Sequence, residues 1–98
     1  MTDRRTFVVL RGEDLLEAQE VAWRSGVQLA FVEHLVHLGV IEPAPGNPRL
    51  FCAEVTLRVR RIARYEDELA VGPMGAAIIL DLLDRIERLE AQLQARKP

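Results

Sequence analysis

The stretch HLGVIEPAPGNPRLFCAEVTLRVRRIAR, residues 37–64, decides how the chain folds, because three kinds of local pattern meet in it. It opens where an amphipathic helix ends at Gly39, since glycine readily takes the left-handed conformation that closes a helix. Residues 43–48 (PAPGNP) hold three prolines, a glycine and an asparagine, which predicts a loop or a small wing. Apolar residues at helical spacing then predict a long amphipathic helix over residues 53–71, with arginines on its other faces.

Two helices are predicted upstream of this stretch. Apolar spacing indicates a first helix over residues 14–24 and a second over residues 28–38, with a stop at Gly26 between them. Two helices joined by a short glycine-containing turn make a helix-turn-helix. Extended pieces flank the pair: residues 6–10 (TFVVL) are β-branched and aromatic, which predicts a short strand, and Leu50-Phe51 is expected to return to the core.

The last part of the chain is predicted to form a helix for self-association. Residues 71–75 (VGPMG) break the long helix, and a final helix follows over residues 74–96. Its aliphatic residues recur at alternating steps of three and four, which is typical of a coiled-coil seam. Because water does not favour so much exposed aliphatic surface, we expect a homodimer. The predicted interface consists of Ile79, Leu82, Ile86, Leu89 and Leu93, with Leu83 beside them.

Length and composition fix the class of protein. The chain has 98 residues, of which 49% are hydrophobic and 29% charged, an ordinary globular balance that argues against disorder. We therefore expect one domain over residues 1–98. It would comprise a helix-turn-helix with a wing-like loop (6–52), the long amphipathic helix (53–71) and the dimerisation helix (74–96). The predicted fold class is all-α, with at most a short N-terminal strand or wing.

Charge and cysteine usage narrow the cellular setting. The net charge is −2, whereas compact nucleic-acid binders usually carry a basic excess. Cys52 is the single cysteine, which excludes an internal disulfide and fits a reducing cytoplasm. A small apolar role in the interior is the expected fate of this thiol. No apolar run reaches membrane-spanning length, so we expect a cytoplasmic protein that does not contact a membrane.

The sequence offers little for catalysis or metal binding. No catalytic triad order, phosphate-binding glycine loop or isolated carboxylate pair stands out, so we expect neither an enzyme nor a cofactor. His34 and His37 have a spacing compatible with a metal, but no cysteine or carboxylate completes a diagnostic set. The two histidines are therefore predicted to be structural or to contact a partner, and Trp23 to anchor the core or an interface.

Taken together, these segments resemble the chaperone modulator CbpM family, an offshoot of the MerR-like helix-turn-helix proteins. The residues that carry the resemblance are LVHLGVIEP (35–43), LF (50–51), RVRRIARYEDELAVGPMGAAIILDLLDRIERLEAQL (58–93) and, less distinctly, SGV (25–27). Coverage runs from residue 6 to 93. This chain departs from the pattern in three ways. Its first helix is longer, and Gln28 and Leu29 replace the usual polar N-cap of the second helix. Cys52 stands where serine or a similar capping residue is expected after Phe51.

The resemblance implies a dimeric, cytoplasmic, all-α protein without catalytic activity. Members of the family bind the J-domain of a DnaJ-like co-chaperone and keep it from stimulating DnaK. Such a J-domain exposes a basic helix and a His-Pro-Asp loop that engage DnaK, so a competing inhibitor should offer acidic groups flanked by apolar contacts.

Two acidic surfaces of this chain meet that expectation. One is the cluster Glu66, Asp67 and Glu68, which we favour because three consecutive acids spread around a helix and at least one must point outward. The other is Glu33 with His34 and His37 on the second helix. Solvated helix surface is the alternative interpretation of both.

DNA binding is the alternative function. A helix that reads the major groove needs side chains for base edges and nearby cations for phosphates. The second helix has neither lysine nor arginine, and residues 1–50 hold five arginines against seven carboxylates. A protein partner is therefore favoured and DNA is unlikely. The evidence for DNA is the basic run Arg58, Arg60, Arg61 and Arg64, since a helix after the wing can grip phosphates in MerR-like proteins.

Overall fold

Two short strands and four helices make up the part of the chain that the computed structural model describes, residues 15–96. In chain order they are β1 (Leu15–Glu17), α1 (Ala18–Ser25), α2 (Leu29–His37), β2 (Leu50–Cys52), α3 (Val55–Leu69) and α4 (Pro73–Arg96). The predicted all-α class with a short strand or wing is confirmed. The elements group into two compact units, one ending at Arg60 and the other beginning at Arg61. The strand predicted over residues 6–10 lies outside the described residues.

Both helices of the helix-turn-helix end in the same way. Gly26 follows α1 with a φ of +74°, and Gly39 follows α2 with a φ of +77°. After α1, the N–H of Val27 donates to the carbonyl of Ala22 at 3.0 Å. After α2, the equivalent bond joins the Val40 N–H to Leu35 at 3.1 Å. These six-to-one bonds satisfy carbonyls that the helix itself leaves unpaired, and they confirm both predicted glycine stops.

The start of the first helix was predicted wrongly. Residues 15–17 form β1, so α1 is a helix of eight residues rather than one that begins at Asp14, and the longer first helix is not observed. β1 pairs antiparallel with β2, with Leu16 opposite Phe51 at the centre. Both side chains are buried, and this pairing across the chain outweighs the local helical spacing. The predicted return of Phe51 to the core is confirmed.

The proline-rich loop folds as a small wing around one tight turn. The N–H of Asn47 donates to the carbonyl of Ala44 at 3.0 Å, with Pro45 and Gly46 between them. Gly46 has a φ of +79°, and proline followed by a left-handed glycine is the pattern of a type II turn. A second bond, from the Ala44 N–H to the Leu50 carbonyl at 2.7 Å, leads the chain into β2.

The core of the first unit lies between the helix pair, the sheet and the start of α3. A fully buried aliphatic or aromatic side chain typically contributes about 1.5–3 kcal/mol through the hydrophobic effect. A buried polar contact adds to it, since the Ser25 hydroxyl donates to the Thr56 carbonyl at 3.3 Å. The buried apolar residues are Leu16, Val21, Ala22, Val32, Leu35, Val40, Ile41, Ala44, Phe51 and Val59.

The second unit is a helical hairpin made from the end of α3 and from α4. The Arg61 guanidinium lies 3.9 Å from the Asp84 carboxylate, so the two helices run antiparallel on either side of the turn at residues 70–72. Ala70 ends α3 with a φ of +55°, and Pro73 opens α4, where its missing N–H costs nothing. The buried side chains of this unit are Ile62, Ala76, Ala77 and Leu80.

We predict opposite effects for substitutions at two left-handed positions, Gly39 and Ala70. No atom lies within 4 Å of a Cβ added at Gly39, so Gly39→Ala should lower the free energy of unfolding by about 1 kcal/mol through backbone strain alone. Gly39→Asn should lose less, because asparagine tolerates this conformation better. Ala70→Gly should relieve strain and raise stability by up to about 1 kcal/mol. Urea denaturation followed by circular dichroism measures all three, and equal losses for alanine and asparagine would contradict the explanation.

Candidate partner-binding surfaces

Two arginines of the predicted basic run tie α3 to the helix-turn-helix. The Nε of Arg58 donates to the carbonyl of Val40 at 2.7 Å, just after α2 ends. The Nη2 of Arg60 donates to the carbonyl of Arg24 at 3.0 Å, in the last turn of α1. The carbonyl of Arg24 attracts a cation because the helix dipole places its negative end in that last turn. Arg58 and Arg60 therefore hold the first unit together.

The other two arginines of the run contact side chains of the second unit. Arg61 pairs with Asp84, and the Nε of Arg64 lies 3.8 Å from the Glu68 carboxylate one turn later. The guanidinium of Arg64 also lies 5.5 Å from the centre of the Tyr65 ring. All four candidates for phosphate binding thus have contacts within the protein.

The outward face of α2 carries no basic side chain except histidine. Ala30, Glu33, His34 and His37 are spaced by three and four residues and are all exposed, while Val32 and Leu35 are buried on the opposite face. In a helix-turn-helix that reads DNA, this second helix enters the major groove. Here the corresponding face presents one carboxylate and two imidazoles.

A groove of about 280 Å³ opens at the N-terminal end of this face. Glu17 on β1, Glu33 on α2 and Arg49 at the end of the wing contribute the charged side chains. Both glutamates are exposed, and among residues 15–96 neither has an ion pair. The apolar and amide residues of the lining are Ala18, Gln19, Leu29 and Leu50.

Glu17 and Arg49 of this groove were missed at the level of sequence. The helix predicted over residues 14–24 includes Glu17, so the sequence pattern does not place it beside Glu33. The pairing of β1 with β2 places Glu17 opposite Leu50, next to Arg49 in the chain. The proximity of Glu17, Glu33 and Arg49 can be predicted only when that register is known.

Trp23 is not a core residue. Its side chain is 79% exposed on the outward face of α1, so the part of the prediction that placed it in the core is wrong. Gln19, one turn earlier on the same face, lines the groove. A large aromatic side chain left in water next to a groove is typical of protein interfaces.

The acidic cluster Glu66, Asp67 and Glu68 occupies the last turn of α3. Asp67 and Glu68 are exposed and Glu66 is half-buried. Carboxylates at the negative end of a helix dipole are destabilising, typically by about 0.3–1 kcal/mol each. The last turn contains no basic residue, and within residues 15–96 only Glu68 of the three acids has an ion pair, with Arg64 one turn before it. Stability therefore does not explain this cluster.

Most of the predicted dimer interface is exposed on α4. The exposed members are Leu82, Leu83, Ile86, Leu89 and Leu93, whereas Ile79 is half-buried. Met74 and Ile78, which were not predicted, extend the same exposed stripe toward the start of the helix. Contiguous apolar surface of this kind usually marks an interaction site.

The part of the chain that the structure describes contains neither a candidate metal site nor a candidate membrane-spanning helix. Over residues 15–96 no three His, Cys, Asp or Glu side chains come together as a metal site would require. Among the same residues, no helix combines the length and the apolar character needed to cross a bilayer. Cys52 lies half-buried in β2 with a free thiol, so it is not the fully buried side chain that was expected.

Comparison with known proteins agrees with the helix-turn-helix geometry. The sequence profile of the MerR HTH family regulatory proteins matches residues 16–97. The chain belongs to this MerR family. The match begins within β1 and includes the two helices with their glycine turns, the wing, α3 and α4.

One relative belongs to the family that the sequence analysis names. The chaperone modulatory protein CbpM of Pseudomonas putida (strain W619) is 27% identical to this MerR-family chain over 79 residues, which are 79% of this chain and 78% of the relative. The predicted similarity to the CbpM family within the MerR-like proteins is confirmed.

We predict that the arginines of α3 differ in their contribution to folding. Arg58→Met removes a charged hydrogen bond to a partly buried carbonyl and should lower the free energy of unfolding by about 1.5–3 kcal/mol. Arg64→Met removes the same charge from an exposed ion pair and should cost less than about 1 kcal/mol. Thermal or urea denaturation of both variants provides the comparison. Equal losses would mean that the bond to Val40 does not hold α3 in place.

Proposed function

We propose that the protein is a chaperone modulator that binds the J-domain of a DnaJ-like co-chaperone and prevents that domain from stimulating DnaK. It acts without catalysis, in the cytoplasm and as a homodimer. The observation that carries the proposal is the similarity to CbpM over most of both chains. The outward face of α2 supports it, because that face bears Glu33 and no lysine or arginine.

The mechanism is competition for one face of the J-domain. A J-domain offers DnaK a basic helix and a His-Pro-Asp loop, so a protein that covers the basic helix with carboxylates blocks DnaK. Two surfaces of this chain carry suitable carboxylates: the acidic cluster at residues 66–68, and Glu33 with His34 and His37. Such contacts accelerate association and are screened by salt.

DNA-binding regulation is the second candidate, because the family match is to MerR regulatory proteins. A MerR-like regulator would bind a palindromic duplex as a dimer, with an affinity that falls steeply with salt. The bonds of Arg58 and Arg60 to main-chain carbonyls argue against this function, since those cations are engaged in folding.

Calorimetric titration and a mobility-shift assay separate the two candidates. We expect the protein to bind an isolated J-domain from the host's DnaJ-like proteins and to leave duplex DNA unshifted at physiological salt. In an ATPase assay, the protein should lower the J-domain's stimulation of DnaK in proportion to the J-domain bound. A shifted duplex together with no heat from any J-domain would reject the proposal in favour of DNA binding.

We predict that the acidic cluster can be reversed in charge without unfolding the protein. Lysines in place of Glu66, Asp67 and Glu68 suit the C-terminal end of α3 better than the acids do, so the triple variant should remain folded. It should nevertheless lose J-domain binding and no longer protect DnaK from stimulation. The matched control places three lysines at exposed acids elsewhere: Glu42, Glu54 and Glu90. Binding as tight as that of the parent would exclude the cluster and leave the α2 face as the contact.

The homodimer is proposed to form through the exposed stripe of α4. Burial of Leu82, Ile86 and their neighbours against a second copy removes apolar area from water at about 25 cal/mol per Å². Leu82→Glu combined with Ile86→Glu should therefore give a monomer in analytical ultracentrifugation. Asp81→Glu with Glu87→Asp is the control, because it changes the same helix and leaves the apolar stripe intact. A double glutamate variant that sediments as a dimer would refute this interface.

A further inference from the structure

We propose that the groove between β1, α2 and the wing receives a lysine or arginine side chain from a basic helix of the protein partner, with Trp23 as a second contact. The groove would thus be the specificity pocket of the partner-binding face, and Glu17 and Trp23 would join Glu33 in it. The inference rests on the proposed function only for the identity of the partner.

The charges of the groove favour a cationic occupant. Glu17 and Glu33 line it from two different elements, and within residues 15–96 neither carboxylate is paired with a cation. Among the lining residues that lie within 15–96, Arg49 is the single cation, so these residues together carry a net charge of −1. An incoming ammonium or guanidinium group would find two acceptors there, and its aliphatic stem could pack on Leu29 and Leu50.

The size of the groove fits one side chain rather than a metabolite. Sites for small molecules usually enclose about 300–1,000 Å³ and bury most of the ligand. This groove measures about 280 Å³, and its charged lining residues Glu17, Glu33 and Arg49 are all exposed to solvent. A side chain that projects from a partner's helix would reach it without being enclosed.

Trp23 extends the groove along α1 in a way that suits a basic helix. Gln19 lines the groove, and Trp23 lies one helical turn further on the same exposed face. The indole face attracts lysine and arginine through cation–π contact, and tryptophan is enriched among the residues that dominate protein interfaces. A partner helix with basic residues one or two turns apart would therefore meet carboxylates first and the indole next.

Nucleic acid is a poor occupant of the same position. In DNA-reading relatives of this architecture, the N-terminal end of the second helix contacts base edges between two phosphate backbones. In this chain Glu33, in the middle of α2, lines the groove together with Glu17, so backbone phosphates near it would face these two carboxylates. The position where a DNA reader needs cations accepts cations instead.

Fluorescence of the single tryptophan reports occupancy of the groove directly. The full-length protein is titrated in separate experiments with a host J-domain lacking tryptophan and with a lysine- and arginine-rich helical peptide lacking tryptophan. The emission of Trp23 should shift or be quenched with both probes. Glu17→Gln combined with Glu33→Gln should weaken binding about tenfold. Glu42→Gln with Glu54→Gln removes two exposed carboxylates outside the groove and should bind like the parent.

The outcomes separate the groove from the proposed function. If the J-domain binds and the Glu17/Glu33 variant binds as tightly as the parent, the groove assignment is wrong while J-domain recognition stands. If the J-domain does not bind but the basic peptide does, with the loss confined to the Glu17/Glu33 variant, the groove stands and the proposed function fails. An unchanged Trp23 emission with both probes, or equal losses in the two double variants, would overturn the groove.

Discussion

The hydrogen bond from the Arg58 guanidinium to the Val40 carbonyl is the constraint on which the first unit depends. It joins the start of α3 to the chain just after α2, and Arg60 makes the matching bond to the end of α1. Without the Arg58 donor, the Val40 carbonyl would lose its hydrogen bond in a partly buried site, at substantial cost. From α3, Arg60 thereby pairs a carbonyl in the last turn of α1, and Arg58 pairs one in the segment that follows α2. These two cationic side chains are thus engaged in contacts within the first unit.

The same basic run could therefore support two opposite interpretations from the sequence. Spacing along α3 shows four arginines near a wing, which is typical of a helix that grips a nucleic-acid backbone. It does not show that Arg60 reaches the Arg24 carbonyl, since that contact depends on how α1 and α3 pack. The absence of lysine and arginine from the outward face of α2 can be read from the sequence alone, because that face follows directly from helical periodicity.

Local signals predicted the helix ends and the wing, while pairing across the chain defeated the prediction of the first helix. Gly26, Gly39 and the Pro45-Gly46 turn each impose a backbone geometry on their immediate neighbours, so a single sequence is enough to recognise them. The strand β1 has no such signal. Leu15 and Leu16 fit a helix equally well until β2 is available as a partner, and the groove at Glu17 depends on that register. Trp23 was misjudged for a related reason: large aromatic residues are usually buried, and exposure marks an exception that composition does not reveal.

The pairing of Leu16 with Phe51 also has a consequence for the order of folding. Every element between these two residues, the helix pair and the wing included, lies inside the loop that this contact closes. The glycine-ended helices and the type II turn are stabilised by contacts between neighbours in the chain. The sheet forms only when a long loop is closed, and closing that loop costs conformational entropy. We therefore expect the strands to pair after the helix ends and the turn have formed. The groove also depends on this pairing, because the pairing places Glu17 opposite Leu50, next to Arg49. The surface proposed for the partner therefore forms only once the two strands have paired.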